Sequence, residues 1–307
     1  MSIIDTNIYR STLKCSSDLT GVYRFSDVFQ ILPSKLKNSD HTNYYIDIEY
    51  NASYINKNLL DNKKYDDLVL ENIKKRAHLQ LLSEIISLLS ISTDEYYEIC
   101  KDESDYAPYP QEIIESFSEN PMDFPGDFSI RRDALRISRG PKYNDDNIAI
   151  HPKAEILFSK YFKLEPDDRD KYDASIFLYR MAQDVSVKSA SLSVLSYISS
   201  VENLMDFDAI KTKFKPEQCD KCGQQAYKIS RRFKEFMKKY SCIQGGDVES
   251  NKLLNKIYSM RSSITHTGGI LNLDRDLTLF PQESFTQISE IKSYVCSALF
   301  NYLVQMP

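Results

Sequence analysis

A chain of 307 residues with 42% hydrophobic and 27% charged residues is long enough for two domains, or one large one, with a buried core. Its net charge of -5 excludes a globally basic nucleic-acid binder, so any basic surface must be local. Six cysteines at irregular spacing (Cys15, Cys100, Cys219, Cys222, Cys242 and Cys296) do not make the framework of a secreted disulfide scaffold. The start, Met1-Ser2-Ile3-Ile4-Asp5, lacks the basic and apolar regions of a signal peptide. No apolar run reaches the ~18–20 residues that cross a bilayer. The expectation is a reduced, cytoplasmic protein with no membrane partner.

The N-terminal stretch is rich in Tyr, Asn, Asp and Ser. Tyr44 to Tyr50 alternates as a half-buried strand does, and Val22 to Leu36 reads as a short helix stopped near Pro33. From Tyr65 to Ile91 the apolar residues Leu68, Ile73, Leu79, Leu82, Ile85, Ile86 and Leu89 recur at helical steps, with His78 expected at the surface or its boundary. Asp94 to Asp127 holds eleven acidic residues and one basic residue, Lys101. Its prolines make it a solvated loop with one short helix around Glu112–Phe117. His151 precedes Pro152 and reads as a loop residue. A boundary near residue 150 gives residues 1–150 as a mixed α/β or α+β region, with a sensing or regulatory role, and residues 151–307 as a helical domain.

After Pro166 the pattern is helical almost throughout, so the protein is expected to be mainly α. Acidic residues Asp167, Asp168 and Asp170 suit a helix start. A second helix from Ser186 carries Leu192, Leu195, Ile198, Val201, Leu204 and Met205 among many serines, and such small residues suit a central bundle helix. Then comes the knuckle Cys219-x2-Cys222-Gly223, half of a zinc site, with Cys242 as the only nearby third sulfur for a structural zinc. The next helix, Gln224–Tyr240, has an apolar face of Ile229, Phe233, Phe236, Met237 and Tyr240. Between Asp208 and Tyr240 ten Lys or Arg face four Asp or Glu, a local balance of +6 (ten minus four). Lys228, Arg231, Arg232, Lys238 and Lys239 are the candidates to guide an RNA backbone. A fourth helix, Ser250–Thr265, turns Leu253, Leu254, Ile257, Met260 and Ile264 inward, and a fifth spans Phe285–Val304.

The fourth helix ends in Arg261-Ser262-x3-His266-x-Gly268-Gly269. Imidazole moves protons near neutral pH, and guanidinium grips phosphate oxygens while keeping its charge. Together they suit metal-free phosphodiester cleavage. On a straight helix five residues separate two side chains by roughly 140°. The pair therefore converges only if the helix ends between them or if counterparts meet across a two-fold axis.

The run Leu254-x2-Ile257-Tyr258-x2-Arg261-Ser262-x3-His266-x-Gly268-Gly269 resembles the signature of HEPN domains, specifically the Apea-like branch. Ser196 to Leu204, with Glu202 embedded, resembles that branch's glutamate-bearing helix. Cys219-x2-Cys222-Gly223 followed by Tyr227-x-Ile229-x3-Phe233-x2-Phe236 resembles its cysteine knuckle and following helix. The likeness covers roughly residues 165–307. It implies an HEPN-like helical bundle, a homodimer, and the Arg–His pairs of both protomers meeting in one cleft. Many such domains are metal-independent endoribonucleases of toxin, abortive-infection or antiphage systems, and others only bind nucleic acid or nucleotides; a structural dimerisation unit of a defence complex is the remaining alternative. The resemblance thus implies RNA as partner, tRNA or mRNA included, with a phage-derived trigger and no catalytic cofactor. Arg261 and His266 would be catalytic, with Ser262, Tyr258 and Glu202 in support. Ser262 departs from the Asn, Asp or His often found after the arginine in active members.

Overall fold

A computed structural model describes residues 7–36, 44–56, 67–100, 112–119, 148, 150–186, 188–214, 217–218, 225–226, 229–243, 246–271, 274 and 282–306. The chain forms two compact units that divide at Pro166.

The N-terminal unit is an antiparallel sheet carrying one long helix. Its strands are β1 (Ile8–Cys15), β2 (Tyr23–Phe25), β3 (Phe29–Pro33), β4 (Tyr44–Asn51), β5 (Glu98–Ile99) and β6 (Glu112–Ile114), in the order β2-β3-β4-β1-β5, with β6 also pairing β1. The alternation seen at Tyr44–Tyr50 becomes β4. The helix expected over Val22–Leu36 is instead the β2–β3 hairpin, paired Tyr23↔Ile31, Arg24↔Gln30 and Phe25↔Phe29. Period-2 alternation of aromatic and aliphatic residues wins there over any helical stripe, and Ser26, at φ 50°, turns the chain. The short helix expected around Glu112–Phe117 is also a strand. β6 pairs with Ile8, Tyr9 and Arg10 of β1, as the β-branched pair Ile113-Ile114 favours.

Register sorts the two faces of this sheet. Tyr9 and Tyr50 lie opposite each other, as do Tyr50 and Phe29, and this apolar face receives α1 (Asp67–Thr93). His78 of α1 is buried, not at the surface, with its ring 4.1 Å from that of Tyr9. Leu81, Leu82, Ile85, Ile86, Leu88, Leu89 and Ile91 are buried with it. The other face carries a polar row across four strands. Arg10 donates to Glu49 at 2.9 and 2.6 Å, Gln30 donates to Glu49 at 2.6 Å, and Arg24 donates to Gln30 at 2.8 Å. Glu49 is fully buried, and the Ser118 backbone N–H closes its acceptor set at 2.9 Å. A buried carboxylate is tolerable only when satisfied in this way.

The short helix α2 (Ala154–Tyr161) belongs to this unit, because Phe158 packs edge-on against Phe25 and Phe29 at ring distances of 5.2 and 5.3 Å. The break therefore falls later than the composition change near residue 150. His151 sits at the entry to α2: its Nδ1 accepts the Lys153 N–H at 3.1 Å, and its own N–H bonds the Ser92 carbonyl.

The second unit is a helical bundle of α3 (Pro166–Val185), α4 (Ala190–Lys211), α5 (Ile229–Tyr240), α6 (Asp247–Thr267) and α7 (Gln282–Gln305), with a two-stranded ladder of β7 (Glu217–Gln218) and β8 (Gln225–Ala226) before α5. Helix α4 is central, in contact with α5, α6 and α7. It starts at Ala190, capped by the Ser189 hydroxyl accepting the Leu192 N–H. The expected stripe is buried at Ile198, Val201, Leu204 and Met205, but Leu192 is exposed. The serines permit close approach: Ser193 and Ser200 are fully buried, and the Ser193 hydroxyl donates to the Ala182 carbonyl of α3 at 2.8 Å. In α5, Phe233, Phe236, Met237 and Tyr240 are buried as the spacing implies, whereas Ile229 is exposed. In α6 only Leu254 and Ile257 of the five expected inward residues are fully buried. Tyr172 ties α3 to α7 through its hydroxyl on the Leu299 carbonyl at 2.9 Å. Among the described residues no helix is long and apolar enough to cross a membrane.

Burial, then the nearby Lys153 charge, holds His151 below its ordinary value near 6.5. The folded state thus binds fewer protons there than the unfolded state. The contribution is fully present above the unfolded value and is lost as pH falls through the folded one. His151→Asn keeps a side-chain acceptor for the Lys153 N–H but cannot titrate. Denaturant unfolding of the two proteins between pH 5 and pH 8 (a window about the His value) is expected to show a shallower acid-side loss in the variant. Parallel curves would exclude His151 as a source of the pH dependence.

Candidate functional site

Glu202 projects from the middle of α4, one turn before the buried Met205, toward α6. One carboxylate oxygen accepts the Tyr258 hydroxyl at 3.2 Å and the other pairs with Arg261 Nη2 at 3.2 Å. Tyr258 and Arg261 are three residues apart on α6 and so lie on one face. A single carboxylate can therefore hold both. Arg261 and Glu202 retain 25% and 18% side-chain exposure, which makes the pair half-buried and worth about 1 kcal/mol. Arg261 Nη1 reaches Thr265 Oγ1 at 3.4 Å, and its Nε is buried without a partner. Burial, then the Glu202 charge and hydrogen bond, push the Tyr258 phenol above its ordinary value. The Tyr258 ring rests on Phe233 of α5, with centroids 5.2 Å apart.

His266 stands exposed in the last turn of α6, and Ser262 is half-buried beside Arg261. The helix runs unbroken through both and ends beyond them. Gly268 is left-handed at φ 63°, and the Gly269 N–H bonds back to the Ser263 carbonyl at 3.1 Å, which closes the helix on a left-handed glycine. The double glycine does end the helix, but it does so after His266. Convergence of Arg261 and His266 through a helix end between them is therefore excluded, and within one chain they point roughly 140° apart.

The segment after the cap is fastened to the start of α4. Leu271 N–H donates to Ser191 Oγ at 2.8 Å, and Asp274 accepts from the Ala190 and Ser191 N–H groups at 2.5 and 2.9 Å. Burial acts against the Asp274 charge, but the bonds from Ser191, Ala190 and Ser189 prevail and hold the carboxyl below its ordinary value. A carboxylate at a helix N-terminus is also favoured by the helix dipole. The two ends of the site, Glu202 on α4 and His266 on α6, are thus carried on helices pinned at a second place.

The basic residues separate into two groups. Arg231 is exposed and pairs with Glu235 one turn on, at 2.8 Å, and Lys238 is exposed. Arg232 instead turns inward: its Nη2 donates to the Met205 carbonyl at 3.3 Å and its guanidinium lies 4.7 Å over the Phe214 ring. Lys239 is exposed, with its ammonium 4.6 Å over the Tyr240 ring. Lys228 lies outside the described residues. So do Cys219 and Cys222, which the β7–β8 ladder brackets in the chain. Cys242 is placed against α7, its N–H donating to Ser297 Oγ at 2.8 Å and its thiol to the Ser293 carbonyl at 3.9 Å. Among the described residues no group of three His, Cys, Asp or Glu side chains is arranged to hold a metal.

Sequence reasoning missed Thr265, although its place four residues from Arg261 is a helical-neighbour signal. It also missed a cleft between α4 and α5 lined by Asp208, Phe214, Arg232, Phe236, Lys239 and Tyr240. No motif joins those residues. Set against protein-family models, curated proteins and solved structures, the chain matches none of them.

Glu202→Ala removes the shared acceptor. Tyr258 is expected to titrate closer to an ordinary tyrosine, read by tyrosine ring NMR, with a stability loss of about 1 kcal/mol. An unmoved Tyr258 resonance would show that burial alone raises the phenol. At the helix end, Gly268→Ala is expected to cost about 1–2 kcal/mol in denaturant unfolding, because an L side chain is strained in the left-handed region. Unchanged stability would mean that the cap relaxes.

Proposed function

We propose that the helical unit is an HEPN-type, metal-independent endoribonuclease that acts as a homodimer in an abortive-infection, antiphage or toxin system. The observation that carries this reading is the Glu202 carboxylate holding both Arg261 and Tyr258, with His266 exposed five residues on along the same unbroken helix. A guanidinium oriented by a carboxylate is preorganised, and it needs little rearrangement to meet developing charge. One chain does not bring Arg261 and His266 together, so the composite site is assigned to two chains, each contributing α6.

In this reading RNA binds with a phosphodiester between the two α6 helices. The ribose 2′-hydroxyl attacks the adjacent phosphorus in line as His266 accepts its proton. Arg261 stabilises the negative charge on the equatorial oxygens of the phosphorane. The P–O5′ bond breaks, and an imidazolium returns the proton to the leaving oxygen. The products are a 2′,3′-cyclic phosphate and a 5′-hydroxyl. Tyr258 and Ser262 keep the guanidinium face ordered, and Arg231 and Lys238, with Lys228, guide the backbone. Residues 1–150 are assigned the sensing of a phage-derived trigger. Cys219, Cys222 and Cys242 are assigned a structural zinc with no part in the reaction.

The second reading, RNA or nucleotide binding without cleavage, has one observation in its favour: Arg261 is already paired with a carboxylate. His266→Ala separates the two. Cleavage of labelled RNA is expected to fall at least about 100-fold, the scale of general acid–base catalysis, with affinity unchanged and no response of the wild-type chain to a chelator. Wild-type protein that binds RNA and never cuts it would retire the nuclease. Glu202→Gln is expected to lower kcat without altering RNA affinity.

A further inference from the structure

The C-terminal end of α4 and the inner edge of α5 leave a cavity of ≈ 170 Å³, close to the size of one planar ring system. Three aromatic rings line it, Phe214, Phe236 and Tyr240, and Tyr302 packs behind the last two. Phe236, Tyr240 and Tyr302 form a packed cluster with ring distances of 4.7, 5.2 and 5.7 Å. Phe214 stands at the rim, 45% exposed. It is placed there by a sharp reversal at Lys213, whose φ of 51° is rare for a residue other than glycine, with the Phe214 N–H bonded back to the Ala209 carbonyl at 2.9 Å.

Half of the lining is polar, with charges of both signs: Asp208, Thr212, Arg232, Glu235 and Lys239, Glu235 being paired with Arg231. Asp208 is hydrogen-bonded by Tyr302 and faces the Lys239 and Arg232 charges; burial, set against those charges, lifts its carboxyl above the ordinary value. Lys239 in turn interacts with Tyr240 and Asp208. The cavity thus offers a cationic donor beside a carboxylate acceptor, over an aromatic floor, with Arg232 stacked on Phe214 at its edge. Neither a bare anion nor an apolar ligand suits that lining. A nucleobase does, because unstacked bases are recognised by aromatic faces and by hydrogen bonds to their Watson–Crick edges.

The order of donors and acceptors narrows the base. Guanine presents O6 as an acceptor next to the N1–H and N2–H₂ donors. Lys239 can donate to O6 while Asp208 accepts from N1–H and N2–H₂. Uracil flanks its single N–H with two carbonyls, one of which would face the carboxylate. Adenine and cytosine each set a ring-nitrogen acceptor beside the amino group. Along α4, Asp208 lies six residues beyond Glu202, a helix rise of about 9 Å and a turn of roughly 120° about the axis, so a strand held at Arg261 reaches the cavity by passing around α4 to its α5 side.

We propose that the cleft of Asp208, Phe214, Phe236, Lys239 and Tyr240 is a guanine-binding subsite that takes one unstacked base of the bound RNA. This rests on the RNA-cleaving reading of Arg261 and His266, and it adds a sequence preference to it. Guanine could reach the same groups on a strand or as a free nucleotide, and the test separates these.

The intact chain is titrated with single-stranded RNA carrying one guanosine in a uridine tract, with the all-uridine strand, and with GMP and UMP. The expected result is tighter binding of the guanosine strand by about tenfold, the scale of one good bidentate base contact, and cleavage at a fixed offset from that guanosine. Asp208→Asn, which turns an amide donor toward guanine donors, and Phe214→Ser, at an exposed position, are both expected to abolish the preference while the all-uridine strand binds as before. Folding is checked by the retained all-uridine affinity, and Phe214→Ser covers the case in which Asp208→Asn fails to fold. RNA cut without guanosine preference, with GMP no better than UMP, overturns the subsite and leaves the nuclease standing. Asp208-dependent GMP binding by a chain that binds no RNA overturns the strand-borne base and the nuclease reading together, leaving a free-nucleotide site. A guanosine preference that survives both substitutions places base recognition elsewhere and overturns the subsite.

Discussion

One carboxylate on the most enclosed helix of the C-terminal unit decides where the conspicuous cation of the chain can go. Glu202 emerges from an α4 face otherwise sealed by Ile198, Val201 and Leu204. A charge in such a setting must find partners or be destabilising. It finds two on α6, Tyr258 and Arg261, and the α4–α6 contact is specified in register as well as by packing. Arg261 is thereby prevented from extending freely into solvent. Its guanidinium stays between α4 and α6, one edge spent on Glu202 and Thr265.

The rest of α6 follows from keeping this helix straight and well anchored. Leu254 and Ile257 bury its first half, and the Gly268–Gly269 closure ends it. Asp274 and Ser191 return the following segment to the start of α4. Between these anchors the final turns are left half-exposed, with Ile264 partly covered and His266 in the open. A helix so fixed cannot bend to bring Arg261 and His266 together, because its geometry separates them by roughly 140°. In the proposed reading the reactive arrangement belongs to an assembly, with the half-exposed end of α6 as the surface on which a second copy completes it.

The N-terminal unit obeys the same rule with a different element. Strand register places Arg10, Glu49 and Gln30 side by side across β1, β4 and β3, with Arg24 continuing the row on β2. A fully buried glutamate is tolerated because Arg10 of β1, Gln30 of β3 and Ser118 supply its donors. The opposite face, through Tyr9, Tyr50 and Phe29, provides an apolar surface for α1 and α2. In both units a carboxylate takes its partners from neighbouring elements, Glu49 from β1 and β3 and the half-buried Glu202 from α6.

Much of this was legible in the residues alone. Long periodic segments announced α1 and the five bundle helices, the double glycine announced the end of α6, and the serines of α4 announced its central place. These are signals of local spacing, and local spacing is what a sequence displays directly. The β2–β3 hairpin and β6 were misread as helices because short apolar runs do not distinguish the two periods; strand pairing with β4 and β1 settles them. His78 reads as a lone polar residue and is buried only because Tyr9 and Tyr50 come to lie beneath it. Within the site, the Arg261–His266 spacing and its 140° consequence were set by the order of residues along the chain. The partnership of Glu202 with Tyr258 and Arg261, and the meeting of Asp208 with Tyr302 and Lys239, came from tertiary structure alone, because hydrogen bonds between separate helices depend on how the bundle packs and leave no periodic trace in the chain.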